Sequence, residues 1–215
     1  MKKISEIYKE YKIIPSLQEH MFRVAAVASL ICDNFTEPLP KKEIITACLL
    51  HDMGNIIKFR MDIIPQFFEP EGVSHWQNVQ NEYKQKYGDN DHEANVKIIK
   101  ELNISEKIAS LANLNQFSLI CEHRDSWDMT IKIVHYSDGR VDPHGVVSYE
   151  ERMNEAKKRY ANHEDFLDEE RRKKLVACGK DIEKQIFAKC KIRPEDITNE
   201  SVAPIIAGLK NFVIK

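Results

Sequence analysis

Apolar residues in this chain recur every three to four positions over long stretches, and no alternating run is long enough for a sheet. Residues 4–11 form a short amphipathic start, ended by Pro15. From Ser16 to about Asn34, Leu17, Val24, Val27 and Ile31 make one helical stripe, and His20 falls on the same face. The turn EPLPKK leads to KEIITACLLHDMG, so rich in apolar residues that it predicts a helix surrounded on most sides. His51 and Asp52 stand at its C-terminal end, with Gly54 as the expected stop.

Residues 55–91 are less regular, broken by Pro65, Pro70 and Gly72, with HWQNVQNEYKQKYG as one polar helix inside them. DHEANVKIIKEL then predicts a helix capped by Asp91, with His92, Val96 and Ile99 on one face. SEKIASLANLNQFSLICEH reads as a single helix, capped by Ser105 and ending at His123. In MTIKIVHYSDGRV, Ile131, Val134 and Asp138 align at i, i+3 and i+7. Beyond Val141 come two charged amphipathic helices, 148–161 and 165–190, and an apolar one around Val202 to Val213. There is no internal repeat. The expectation is an all-α bundle of eight to ten helices, with a core over 1–147 and a C-terminal helical extension over 148–215.

Composition narrows the class without naming a chemistry. With 42% apolar and 31% charged residues the chain is an ordinary globular sequence, and seven glycines and eight prolines leave room for few turns. The formal charge of −2 gives no global reason to expect a nucleic-acid polymer or a membrane as partner, and Arg171-Arg172-Lys173-Lys174 reads as a solvated helix face. Five cysteines without CxxC spacing, two of them (Cys32 and Cys48) inside apolar runs, read as small hydrophobes. MKKISEIYKEYKIIPS lacks the apolar run of a signal peptide, and no stretch approaches the roughly 18 apolar residues of a membrane span. A reduced cytoplasm is the expected compartment.

The chemistry lies in a series set in or beside helices: His20, His51-Asp52, His92, His123 and Asp138. Singly each has a plain reading: His20 as a hydrogen-bonded core histidine, His92 as a helix N-terminal residue, His123 as a cation at a helix end. An aspartate between Val134 and Val141 is costly to bury unless it is ionised and paired, and histidines on apolar faces pose a milder form of that problem. A divalent ion resolves them together, because neutral imidazole and carboxylate are its ordinary ligands.

His20, the doublet His51-Asp52 followed by Met53-Gly54, and Asp138 within YSDGRV resemble the HD-domain superfamily of metal-dependent phosphohydrolases over roughly residues 16–145. The resemblance implies that His20, His51, Asp52 and Asp138 hold one metal. It implies further that His92 and His123 belong to the subset binding two, with Asp52 bridging. A His/carboxylate set without cysteine suits Fe, Mn, Co or Ni better than structural zinc. The implied reaction is hydrolysis of a phosphate ester or anhydride of a nucleotide or related small phosphate compound by metal-activated water.

Candidate phosphate-binding cations are Arg23, one turn after His20, and Lys58, seven residues after His51; Arg60 and Arg124 are weaker candidates. Relatives that cleave cyclic dinucleotides often carry lysine directly after the doublet's glycine. Here that residue is Asn55, which leaves Lys58 as a substitute. Arg140 is expected in a structural ion pair. His135 is read either as support for the ligands or as a core residue, and Trp76 either as a platform for a base or as an anchor for its own helix. The same ligands would also serve a di-iron oxygenase, and helical modules of this type can act as non-enzymatic interaction domains. The helices after 148 offer a surface for homodimerisation.

Overall fold

The first amphipathic segments fold as α1 (Ile4–Glu10) and α2 (Pro15–Asn34) in a computed structural model that describes residues 2–61, 68–161 and 164–214. Pro65 and His163 lie outside the described residues. Pro15 does not end α1 but opens α2, where its fixed φ suits the first helical turn and its missing N–H costs nothing. Met21, Val24, Ala25, Ala26, Val27, Ala28 and Ile31 of α2 are fully buried. The three alanines let neighbouring helices come close, and α3 (Lys41–Leu50), α8 (Met129–Asp138) and α12 (Asn199–Leu209) all pack on α2. As its composition predicts, α3 is enclosed: every residue from Ile44 to Leu50 is buried.

After α3 a 3-10 turn over Asn55–Lys58 leads toward α4 (Val73–Tyr87) and α5 (Asp91–Glu101). The cap of α5 is Asn90, whose side chain accepts from the Glu93 N–H; Asp91 is the first helical residue. The buried face of α5 is Ala94, Asn95, Ile98 and Ile99, so Val96 is exposed and the expected His92–Val96–Ile99 face is rotated by one residue. Trp76 is buried in the core as the anchor of α4.

The segment expected as one helix from Ser105 to His123 is two: α6 (Glu106–Asn113) and α7 (Ile120–Asp125), joined by a 3-10 turn over Phe117–Leu119. Ser105 caps α6 as expected. Asn113 and Asn115, two weak helix formers, stand where the chain turns. The charged C-terminal stretch gives α9 (Tyr149–Arg159), α10 (Glu164–Leu167) and α11 (Glu169–Phe187). A Ser148/Glu151 capping box starts α9, and the Asp168 carboxylate caps α11. α11 packs on α7 and α8. The fold is all-α, with twelve α-helices among the described residues; the excess over the expected number comes largely from these breaks. The expected absence of strands meets one small exception, a two-residue antiparallel ladder pairing Lys2–Lys3 with Val213–Ile214.

Two features fix the ends of the helices that matter below. Arg140, just past α8, is buried and makes no ion pair among the described residues. Its guanidinium donates to the carbonyls of Val147, Pro194 and Ile197 and to the Tyr136 hydroxyl, tying α8 to the C-terminal segment. Cys121 of α7 and Cys178 of α11 form a disulfide, which the spacing of the cysteines does not reveal; Cys48 is buried and free. No described helix is long and apolar enough to cross a membrane.

Gly54 sits in ordinary right-handed backbone, so its role is not a left-handed helix stop. A Cβ there would lie 2.3 Å from the Asp91 carbonyl oxygen and 2.8 Å from the Asn95 nitrogen. The glycine therefore lets the turn after α3 press against the first turn of α5. Gly54→Ala should destabilise the protein by about 1–3 kcal/mol, the usual cost of overpacking a tight contact, measured by urea unfolding. An unchanged midpoint would show that the two elements are not locked together.

Candidate metal centre

Three helices bring four of the sequence-derived ligands to one place. α2 contributes His20, the residues just past α3 contribute His51 and Asp52, and the last residue of α8 contributes Asp138. His20 Nε2 lies 3.1 Å from Asp138 Oδ1 and 3.7 Å from Asp52 Oδ2. His51 Nε2 is 3.5 Å from each of the same two oxygens. Among the described residues, His20, His51 and Asp52 form the compact group able to offer one ligand atom each to a cation. Asp138 joins it through both histidines.

The tautomer of His51 is set by the chain. Its Nδ1 is 2.8 Å from the Cys48 carbonyl oxygen, which can only accept, so Nδ1 carries a proton. Nε2 is left facing the carboxylates, buried and without a hydrogen-bond partner, on a side chain only 1% exposed. A buried imidazole nitrogen with its opposite nitrogen held by a carbonyl, facing two carboxylates, fits a divalent cation of the kind bound by mixed nitrogen and oxygen donors. Burial opposes protonation of His51, but Asp52 and then Asp138 outweigh it and raise its pKa to about 9. Burial likewise pushes the Asp138 carboxyl up, while the close imidazoles of His20 and His51 hold it well below the usual carboxylate range.

The remaining candidates are placed as follows. Lys58 projects from the 3-10 turn and pairs with Asp91 at 2.8 Å. Burial disfavours its charge, but Asp52, Tyr160 and Asp91 together raise its pKa, so it is a cation within electrostatic range of the metal group. Arg23 pairs with Glu19 one turn back, at 3.2 Å, and Arg124 with its neighbour Asp125. His92 is exposed on the first turn of α5, beside Asp91, and is not in the compact group. His123 is buried and outside it too: its Nδ1 lies 3.0 Å from Nδ1 of His135. Burial pushes both of these histidines down, His135 to about 3 with His123 adding to the effect, so the pair is neutral at pH 7 and one Nδ1–H donates to the other.

One neighbour of the group was missed by sequence reasoning. Asn115 Nδ2 donates to Asp138 Oδ2 at 3.3 Å, from the break between α6 and α7. The only signal for it is the Asn-Leu-Asn-Gln run that interrupts the helical pattern. Two cavities flank this region. The larger, about 510 Å³, is lined by residues including Arg140, Lys180 and Asn199 and by none of the four grouped ligands. The smaller, about 90 Å³, includes Asp138 in its wall and is the one next to the chemistry.

Comparison with known families finds that the profile of the HD domain matches residues 17–170, well over half the chain. No curated protein and no solved structure matches it.

The geometry fixes how metal uptake depends on pH. A ligating imidazole must be neutral, so below about pH 9 an incoming ion displaces the His51 proton, and affinity should climb about tenfold per pH unit before levelling. Calorimetry with Mn²⁺ at pH 7, in buffers of different ionisation enthalpy, should report about one proton released per ion. In metal-free protein the sign reverses. The folded pKa of His51 lies above its unfolded value near 6.5, so its stabilising effect is full below pH 6.5 and is lost as pH rises through about 9. Metal binding without proton release at pH 7 would remove His51 from the ligand set.

Proposed function

This chain belongs to the HD domain family, and on that premise we propose that it is a metal-dependent phosphohydrolase cleaving a phosphate ester or anhydride bond of a nucleotide or related small phosphate compound. The observation that carries this reading is the unpartnered Nε2 of His51, buried against Asp52 and Asp138 with its tautomer fixed by Cys48. His20, His51, Asp52 and Asp138 are the residues that would hold a divalent ion. Such an ion, when bound, lowers the pKa of a water molecule and neutralises charge building on a phosphoryl oxygen. Fe, Mn, Co or Ni suits these donors, which include no cysteine.

The protein's own groups do the rest. Asp138, held ionised by two imidazoles, keeps His20 and His51 aimed at one point. Asn115 holds the other oxygen of Asp138 and so limits its rotation. The Lys58 ammonium, next to Asp52 and steadied by Asp91, is placed to meet a phosphoryl oxygen. Arg23 would have to leave Glu19 to do the same, and is the weaker participant. A second ion, expected on His92 and His123 with Asp52 bridging, would take ligands from outside the compact group of the first.

With Mn²⁺ present and a panel of nucleotides and small phosphate esters, Asp52→Ala and Asp138→Ala should each lower kcat/KM by about a hundredfold or more. Lys58→Ala should lose at least about tenfold, with Lys58→Arg recovering part of it. Full activity in either aspartate variant would exclude the assignment.

A further inference from the structure

The segment between α6 and α8 is lightly anchored for one that touches the metal group. From residue 113 to residue 129 only Ile120 and His123 are buried, and the 3-10 turn over Phe117–Leu119 contains no buried residue. α7 is six residues long, well short of the roughly 12–15 at which a helix begins to hold itself in water. Yet this segment carries Asn115, whose amide donates to Asp138, and His123, which meets His135. Its covalent tie is the Cys121–Cys178 disulfide, which spans a sequence separation of 57 and fastens α7 to the long helix α11.

Crosslinks of this kind are usual in domains too small to bury a sufficient core, and this chain is not one of them. The two ends of the crosslink differ. Cys178 is 1% exposed in the middle of α11, whereas Cys121 is half-buried on the short helix. A nucleophile arriving from solvent therefore meets the Cys121 sulfur first. The other three thiols are kept out of such exchange. Burial pushes Cys32 up to about 12 and Cys190 up to about 11, and it raises the fully buried Cys48 as well. All three stay protonated at pH 7 and do not attack the disulfide, because the thiolate is the nucleophile. Thiol–disulfide chemistry in the folded chain is thus confined to one pair, and that pair secures the segment bearing Asn115.

We propose that Cys121–Cys178 is a thiol–disulfide switch, in which a dithiol reductant opens the crosslink in the folded protein and loosens the hold of Asn115 on Asp138. One thiolate of the reductant attacks Cys121 Sγ and forms a mixed disulfide, while the Cys178 sulfur leaves with the electron pair and takes a proton. The second thiol of the reductant then attacks its own sulfur in that mixed disulfide and releases Cys121 as a thiol. Two electrons and two protons pass to the protein, and the reductant becomes a cyclic disulfide. The oxidised state keeps the Asp138 carboxylate fixed; the reduced state lets it turn. The consequence for catalysis rests on the phosphohydrolase reading, and the conformational change does not.

Full-length protein is oxidised with glutathione disulfide and then treated with dithiothreitol, with reduced cysteines identified by alkylation and mass spectrometry while circular dichroism follows folding. Cys121 and Cys178 should be reduced with helicity retained. Backbone amides of residues 115–125 should then exchange with deuterium about tenfold faster, with those of α2 and α3 unchanged. After desalting, Mn²⁺ affinity measured by calorimetry should be about tenfold weaker, and it should recover when glutathione disulfide closes the same pair. The double variant Cys121→Ser/Cys178→Ala should show the reduced values and ignore the reductant, and Cys32→Ala should respond as the wild type does.

A pair that cannot be closed, or that opens only when helicity is lost, overturns the proposal. Equal exchange of residues 115–125 in the two states, or equal Mn²⁺ affinity, overturns it as well. If exchange and affinity respond as described and no phosphate compound is hydrolysed in either state, the switch stands and the phosphohydrolase is wrong. If neither responds while phosphate esters are hydrolysed in an Asp52-dependent manner, the switch is wrong and the phosphohydrolase stands.

Discussion

The carboxylate of Asp138 is the point on which the rest of this structure is arranged. It ends α8 while one of its oxygens faces imidazoles from two other helices, His20 of α2 and His51 just past α3. A carboxylate in that position is tolerable only if charge and hydrogen bonds compensate the lost hydration, and His20, His51 and the Asn115 amide supply them. The α2–α3–α8 junction is therefore both the centre of the hydrophobic core and the floor of the site. Fully buried Ala25, Ala26 and Ala28 on α2, and an α3 apolar on nearly all sides, are what bring the three helices close enough.

The helices after residue 148 hold that junction from behind. Tyr149 is wedged between Gly139 and Gly179: a Cβ on either glycine would lie within 3.0 Å of its ring or hydroxyl. The same tyrosine stacks on Tyr136 of α8. Arg140 gathers three carbonyls, two of them more than fifty residues away in sequence, so the end of α8 cannot shift without disturbing the C-terminal segment. The Cys121–Cys178 disulfide joins α7 to α11 on the side where His123 meets His135. In physical terms the C-terminal helices are part of the mounting of Asp138.

Much of this was legible in the chain because it depends on local periodicity. The extents of α2, α3 and α8 follow from stripes whose buried positions recur at helical spacing, whereas the grouping of His20, His51, Asp52 and Asp138 is what the family resemblance implies. What was not legible depends on rotation, on breaks, or on pairing across long separations. The face of α5 runs through Asn95 rather than Val96, a polar residue buried because its amide donates to Asn113, which periodicity of apolar residues alone cannot detect. Asn115 reaches Asp138 only because the helix breaks after Asn113, and a pair of asparagines indicates a break without saying where its side chains go. Arg140 reads as a charge seeking a carboxylate, yet its partners are carbonyls and a hydroxyl, groups every sequence contains and none advertises.

The placement of Lys58 bears on how much positive charge the site needs. Gly54 presses the turn after Asp52 onto the start of α5, and this close contact brings Lys58 to Asp91 while keeping its ammonium within range of Asp52. His92, next to Asp91, stands at the exposed rim of the same contact. On the phosphohydrolase reading, Lys58 supplies a positive charge at that rim for a phosphoryl oxygen. It is held there by its ion pair with Asp91 of α5.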